Sequence, residues 1–229
     1  MDEAIILAGG LGTRLRDTVP GLPKCMAPVN GKPFINYIIE YLCSQRIQRF
    51  IFSVGYLHEI ISTHIQRTFP GLDCVFVIEE KSLGTGGAIH LSAQQIKGEN
   101  VLILNGDTLF KVNVAKLYSL HEEKKAACTM ALKPMKNFDR YGAVEINEQN
   151  KVLRFNEKKK YAEGLINGGV YILNLPAFLK KDWPEIFSFE KNYLENSPGK
   201  IDLYGVVQDD YFIDIGIPED YQRAQEELK

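Results

Sequence analysis

Near the amino terminus, Leu7-Ala8-Gly9-Gly10-Leu11-Gly12-Thr13-Arg14-Leu15-Arg16 sets three glycines and two guanidinium groups behind a short apolar run. Glycines at such spacing let backbone N–H groups surround phosphate oxygens that side chains would otherwise block. Arg14 adds a planar donor suited to phosphate, and Lys24 is the next cation along the chain. Two commoner phosphate loops do not fit. The dinucleotide fingerprint needs a third glycine where Leu15 stands, which removes an NAD-dependent oxidoreductase. A Walker loop needs Gly-Lys-Ser/Thr, whereas Gly31-Lys32 runs into Pro33. A ligand-free glycine turn is the bland alternative for so short a motif, and a solvated face is the bland reading of both cations. Two aspartates could complete a polyanion site. Asp107 follows Val101-Leu102-Ile103-Leu104, and Asp214 lies within the apolar Phe212–Ile215 stretch, where an unpaired carboxylate would be costly. An aspartate in a turn can also serve as a backbone cap. Two carboxylates with phosphate oxygens, however, make the hard site that magnesium takes. No cysteine or serine sits beside a base, so a covalent intermediate is not indicated.

The glycine turn, taken with Pro23-Lys24-Cys25-Met26-Ala27-Pro28-Val29, closely resembles the signature of the sugar-phosphate nucleotidyltransferases, which join a sugar 1-phosphate to a nucleoside triphosphate. Cys25 stands where the family pattern has proline. The likeness continues in order along nearly the whole chain. Glu79-Glu80-Lys81-Ser82-Leu83-Gly84-Thr85-Gly86-Gly87 resembles the base-binding loop, and Asn105-Gly106-Asp107 the metal-binding turn. Tyr141-Gly142, Phe155-Asn156-Glu157-Lys158 and Asn167-Gly168-Gly169 resemble sugar-binding segments, and the stretch around Asp214 a second metal-binding segment. The resemblance implies catalytic roles for Arg14, Lys24 and Asp107. It implies nucleotide contacts from Leu7, Ala8, Gly9, Gly10, Gly12, Thr13, Arg14, Glu80, Gly84, Thr85, Gly86 and Asn105. Sugar-phosphate contacts would come from Tyr141, Gly142, Glu157, Lys158, Asn167, Gly168 and Gly169. Mg2+ would sit on Asp107 and Asp214. Within the family the wording is most like the bacterial D-glycero-α-D-manno-heptose 1-phosphate guanylyltransferases, which implies GTP as donor and synthesis of GDP-heptose for surface polysaccharide. A mannose 1-phosphate acceptor, another nucleotide, and a non-catalytic nucleotide-sugar-binding subunit are the alternatives. The last typically loses a metal carboxylate or the loop cation, and Asp107, Asp214, Arg14 and Lys24 are all retained here.

Short β-branched runs alternate with amphipathic segments through the first half. Strands are expected at 4–8, 49–54, 74–78 and 101–104, and helices at 34–44, 58–67, 85–96 and 112–124. Strands apolar throughout and separated by helices indicate a Rossmann-like α/β fold, whose parallel sheet is covered on both faces. Ligands then bind beyond the strands' carboxyl ends, at the loops after Ala8, Ile78 and Leu104. The second half changes rhythm, with strands at 126–132, 143–146, 152–155, 169–173 and 211–215 and a hairpin turn at 148–151. Residues 184–194 are a candidate helix and 218–228 a terminal one. A mostly parallel mixed sheet with a smaller β-rich acceptor-binding lobe results. We read 1–229 as a single domain with a nucleotide-binding part (1–125) and a sugar-phosphate-binding part (126–229).

Composition bounds the function. A net charge of −2 gives no basic excess for general nucleic-acid or anionic-membrane binding. Cys25, Cys43, Cys74 and Cys128 are too widely spaced for a zinc site or disulfide framework, so reduced thiols are expected. His58, His64, His90 and His121 lack metal spacing and read as surface or packing residues, and Trp183 as packing. The acidic start and strand-sized apolar runs predict no secretory leader or membrane span, hence a cytoplasmic protein. The partners implied are GTP and a sugar 1-phosphate, and the oligomeric state is left open, a homodimer being one option.

Overall fold

The computed structural model describes residues 1–10, 15, 18–156 and 159–228. In chain order the first half comprises β1 (Glu3–Leu7), the small hairpin β2 (Pro28–Val29) and β3 (Lys32–Pro33), α1 (Phe34–Ser44), β4 (Arg49–Val54), α2 (His58–Thr68) and β5 (Asp73–Ile78). It continues with α3 (Gly84–Ser92), β6 (Asn100–Asn105), β7 (Thr108–Phe110) and α4 (Val114–Lys124). The second half contains β8 (Cys128–Phe138), β9 (Ala143–Ile146), β10 (Val152–Asn156), β11 (Tyr161–Asn174) and α5 (Leu175–Leu179). β12 (Leu203–Val207), β13 (Phe212–Asp214) and α6 (Pro218–Glu227) end it.

The parallel strands β6, β1, β4 and β5 lie side by side, as their apolar runs predict. β11 continues that sheet antiparallel to β6, so the second half is built onto the edge of the first. Beyond it, β8 and β9 pair with β11, β10 with β9, and β12 runs parallel to β8. The architecture is the expected mixed sheet with a smaller β-rich lobe. Alternate residues of one strand feed opposite faces. Ala4 and Ile6 of β1 join Leu102 and Leu104 in a core with α1, α2 and α6. Ile5 and Ile103 enter a second core with Ile89 of α3 and the aromatic side chains of residues 178–193. β1, β4 and β6 are almost wholly buried, but β5 is a sheet edge with residues only half covered.

Several elements differ from the sequence reading. The helix expected from 85 gives way to a 3-10 turn at Ala93–Gln95, and that expected from 112 starts at Val114, where the Asn113 carboxamide accepts the Lys116 amide (2.9 Å). Residues 184–194 are not one helix. Only Phe189–Leu194 is helical, in a single wide turn. The strands expected at 126–132 and 169–173 are both much longer. β7, β12 and α5 had no separate signal, being short or embedded in mixed composition. The 148–151 turn does close the β9–β10 hairpin, with the Asn147 side chain accepting the amides of Gln149 (3.0 Å) and Lys151 (2.9 Å).

β11 carries the irregularity that matters for the site. Its register against β8 shifts between Asn167 and Tyr171. A bulge of this kind bends a strand and re-aims its side chains. Here it sets Asn167-Gly168-Gly169 at the carboxyl end of β6.

Candidate active site

Strand β6 ends at Asn105, and the chain turns through Gly106, whose amide donates to the Leu7 carbonyl (2.8 Å). A Cβ on Gly106 would come 3.0 Å from that same carbonyl, so a larger residue would have to push the turn back from β1 by a few tenths of an ångström. Asp107 follows. β7 then pairs antiparallel with β13, placing Asp214 opposite Thr108, and the Ile215 amide donates to the Asp107 carbonyl (3.0 Å). Two aspartates 107 residues apart in sequence are thereby held on neighbouring strands.

Lys24 joins them. It begins a 3-10 turn whose Cys25 and Met26 are buried, and its ammonium donates to the Asp107 carboxylate and lies 3.9 Å from Asp214 Oδ1. Asp214 also accepts the Gly216 amide (2.7 Å). Burial raises the Asp214 pKa, and the Asp107 charge raises it further. Lys24, that amide and Arg140 oppose the shift. A carboxylate pair whose mutual repulsion is held by one ammonium favours further positive charge between them. Among the described residues no three His, Cys, Asp or Glu side chains group for a metal. Two carboxylates alone are the donor set of a hard cation that completes its shell with substrate phosphate oxygens.

These residues line a cavity of about 490 Å³. Of the residues expected from sequence, it gathers Lys24, Asn105, Asp107 and Asp214 with Thr85, and also Tyr141, Gly142, Asn167, Gly168 and Gly169. Asn167 is oriented from both ends, its carbonyl oxygen accepting the Gly169 amide (3.1 Å) and its amide donating to Tyr171 Oη (2.6 Å). Gly169 has φ +71°, and a Cβ there would meet the Asn105 side chain at 2.8 Å. Burial, followed by the Asp214 charge, raises the Tyr141 pKa, so that ring presents a neutral hydroxyl.

A second cavity, about 380 Å³, lies past the ends of β4 and β5 and holds Gly9 and the exposed Glu80, with Gly55, Tyr56 and Ser82 around them. Its neighbour Glu79 is structural, accepting the Ser53 hydroxyl (2.9 Å) and the Leu83 amide (3.2 Å). Leu7 and Ala8 belong to the strand end. The Leu7 carbonyl takes the Gly106 amide, and the Ala8 amide donates to Ser53 (2.8 Å). Gly10 is exposed. Gly84 and Gly86 lie in the first turn of α3 under residues 185–189, and the Gly86 amide is used by the Phe187 carbonyl (3.0 Å). Gly12, Thr13, Arg14, Glu157 and Lys158 lie outside the described residues.

The Nucleotidyl transferase family profile matches residues 3–229. The chain belongs to the sugar-phosphate nucleotidyltransferase family. Among the relatives of this nucleotidyltransferase is the D-glycero-alpha-D-manno-heptose 1-phosphate guanylyltransferase of Aneurinibacillus thermoaerophilus, 50% identical over 99% of this chain and 98% of that one. The protein of the same name from Campylobacter jejuni is 45% identical over 96% of each. The crystal structure of HddC from Yersinia pseudotuberculosis complexed with GMP-PN superposes with a TM-score of 0.88, at 35% identity and full coverage of both chains. The catalytic domain is thus that of a nucleotidyltransferase acting on sugar 1-phosphates.

Sequence reasoning did not single out several residues of the nucleotidyltransferase cavity. Arg140, which donates to Tyr141 Oη (3.1 Å) and pairs with Asp220 of α6, precedes a recognised segment and was legible as a cation beside it. Ser188, Glu190 and the flanking Lys191 come from the stretch read as a candidate helix, a reading that gave them no part in the site. Phe212, set edge-on to Phe110 (5.5 Å) and Tyr141 (5.5 Å), opens the segment that resembles the second metal-binding one but was given no role of its own.

Proposed function

We propose that this enzyme transfers GMP from GTP to D-glycero-α-D-manno-heptose 1-phosphate, giving GDP-heptose and pyrophosphate. The observation that carries the reading is the convergence of Asp107, Asp214 and Lys24 in the cavity that also holds Tyr141, Asn167 and the Gly168-Gly169 bulge. Supporting the choice of base and sugar are the names of the relatives at 50% and 45% identity and the GMP-PN complexed with the superposed Yersinia pseudotuberculosis protein.

In this reaction a phosphate oxygen of the sugar 1-phosphate attacks the α-phosphorus, a new P–O bond forms, and the bond to the leaving pyrophosphate breaks. The attacking group is already an anion, so no general base is needed. What the protein must do is bring two polyanions together and neutralise their repulsion, and such positioning supplies ~7–11 kcal/mol. Lys24, held at the two carboxylates, and Arg140, held by Asp220, are cations of this cavity placed for that neutralisation, and Lys191 adds a third in its wall. Asn167 and the Tyr141 hydroxyl orient the acceptor. Arg14 would add a second loop cation beside Lys24. Mg2+ bound by Asp107 and Asp214 would supply Lewis-acid stabilisation of the charge developing on the phosphate oxygens.

Pyrophosphate release measured across four nucleoside triphosphates and a panel of sugar 1-phosphates, with magnesium present, tests the reading. The expected result is strongest turnover with GTP and heptose 1-phosphate. Preference for CTP or UTP would overturn the base, and preference for mannose 1-phosphate the sugar.

A further inference from the structure

One wall of the larger cavity is built by a segment that the transfer chemistry does not use. Residues 183–190 cross the first turn of α3. The Phe187 amide donates to the Leu83 carbonyl (3.0 Å), its carbonyl accepts the Gly86 amide, and the Phe189 amide donates to Thr85 Oγ1 (2.9 Å). A Cβ at Gly84 or Gly87 would come 2.5 Å from a carbonyl of the crossing segment, so glycines are required for this approach. From the other side an aromatic stack holds the segment. Trp183 lies flat on Phe187 (4.7 Å, 5°), and Phe189 packs on Tyr193 (5.0 Å) and Tyr171 (5.2 Å).

That clamp fixes Glu190 in the cavity wall. Its Oε2 accepts the hydroxyls of Thr85 (2.6 Å) and Ser188 (2.9 Å). An ionised carboxylate offers about four acceptor positions, and these bonds use two of them. Glu190 also raises the Tyr171 pKa, second to burial, which places its charge beside the Tyr171–Asn167 pair. Substrate phosphates would be repelled by this carboxylate and are served by Lys24 and Arg140. What it can receive is a hydroxyl hydrogen from the uncharged part of the acceptor.

We propose that Glu190, set by Thr85 and Ser188, is the residue that selects the glycosyl group. It accepts hydrogen bonds from sugar hydroxyls, so the site takes a neutral, hydroxyl-rich sugar and rejects one bearing its own carboxylate. The inference rests on a sugar 1-phosphate occupying this cavity and not on the choice of guanine or heptose. The rival role for Glu190 is a pin between the crossing segment and α3, with no substrate contact.

Steady-state kinetics of the wild type, Glu190→Gln and Ser188→Ala separate the two roles. The acceptors are the sugar 1-phosphate turned over best, its single-deoxy analogues, and a uronic acid 1-phosphate. Glu190→Gln is expected to raise the acceptor KM about 10- to 100-fold while the triphosphate KM holds. It should also narrow the wild-type preference over one deoxy analogue and over the uronic acid. Glutamine retains an acceptor for Thr85, so the clamp persists, and thermal melting checks it. Should that variant fail to fold, Ser188→Ala keeps the carboxylate but frees one tether, and a smaller acceptor-selective rise is expected. Equal rises in both KM values, or unchanged discrimination among the acceptors, would overturn the proposal in favour of the pin. If the wild type uses another triphosphate or sugar, the guanylyl-heptose reading fails, and the same comparison proceeds on the active pair.

Discussion

At the scale of single residues, the arrangement around Lys24 explains why two acidic groups tolerate each other in a partly buried cleft. The ammonium contacts one and lies within 4 Å of the other. Its sequence neighbour Cys25 is fully buried, which pushes the thiol up to about 12 and leaves it inert despite the adjoining cation. Asp107→Asn keeps the shape of the side chain and removes its charge. Turnover should fall on the order of 10²- to 10³-fold, the scale of losing one preorganised electrostatic group. Triphosphate affinity, read by equilibrium titration, should change far less. Near-normal turnover would remove Asp107 from the reaction.

At the scale of elements, the bulge in β11 and the short β7–β13 ribbon shape the cleft. Gly168 sits in the bulge against the Phe110 ring, and a Cβ there would also lie 3.1 Å from the Ala131 carbonyl. Gly168→Ala forces these groups apart, at an overpacking cost of about 1–3 kcal/mol. For a chain of this size the melting temperature should fall by about 2–12 °C. The acceptor KM should rise more than the triphosphate KM, because the bulge carries the acceptor wall. A variant with unchanged melting and kinetics would show that the strand accommodates the methyl group and that its bend does not depend on glycine.

At the scale of the whole molecule, the end of the sheet away from the cleft is tied by a buried polar node. His121 of α4 bonds through Nδ1 to the Thr129 hydroxyl on β8 (3.0 Å) and through Nε2 to Asn100 Oδ1 on β6 (3.2 Å). Asn174 of β11 donates to the same oxygen (2.9 Å). Burial lowers the His121 pKa to about 4, with Glu122 pulling weakly the other way. In the unfolded chain the value returns to about 6.5. The unfolded state therefore binds the proton first as pH falls. The stability from a neutral His121 is complete above about pH 6.5 and is lost progressively as pH drops through about 4. The loss is on the order of 2–3 kcal/mol. Urea midpoints at about pH 7 and pH 4.5 should differ more in the wild type than in His121→Gln. Equal differences would place the pH dependence elsewhere.

The order of strands and helices, the parallel half of the sheet and the loops worth searching were written in local sequence. Apolar runs and 3.6-residue periodicity depend on neighbours along the chain. Cysteine spacing and charge likewise bounded the class of protein without any coordinates, and the motif resemblance named the family. The resemblance implied that Asp214 meets Asp107, but local pattern could not show it, because the meeting depends on β7 pairing with β13 and both runs are only three residues long. Arg140's role depends on a helix 80 residues later, and Glu190's on three glycines of α3 that admit the crossing segment. Periodicity reports which face of an element is buried. It carries no record of which distant element arrives there, and that juxtaposition, fixed by packing over the whole sheet, decided the walls of the site.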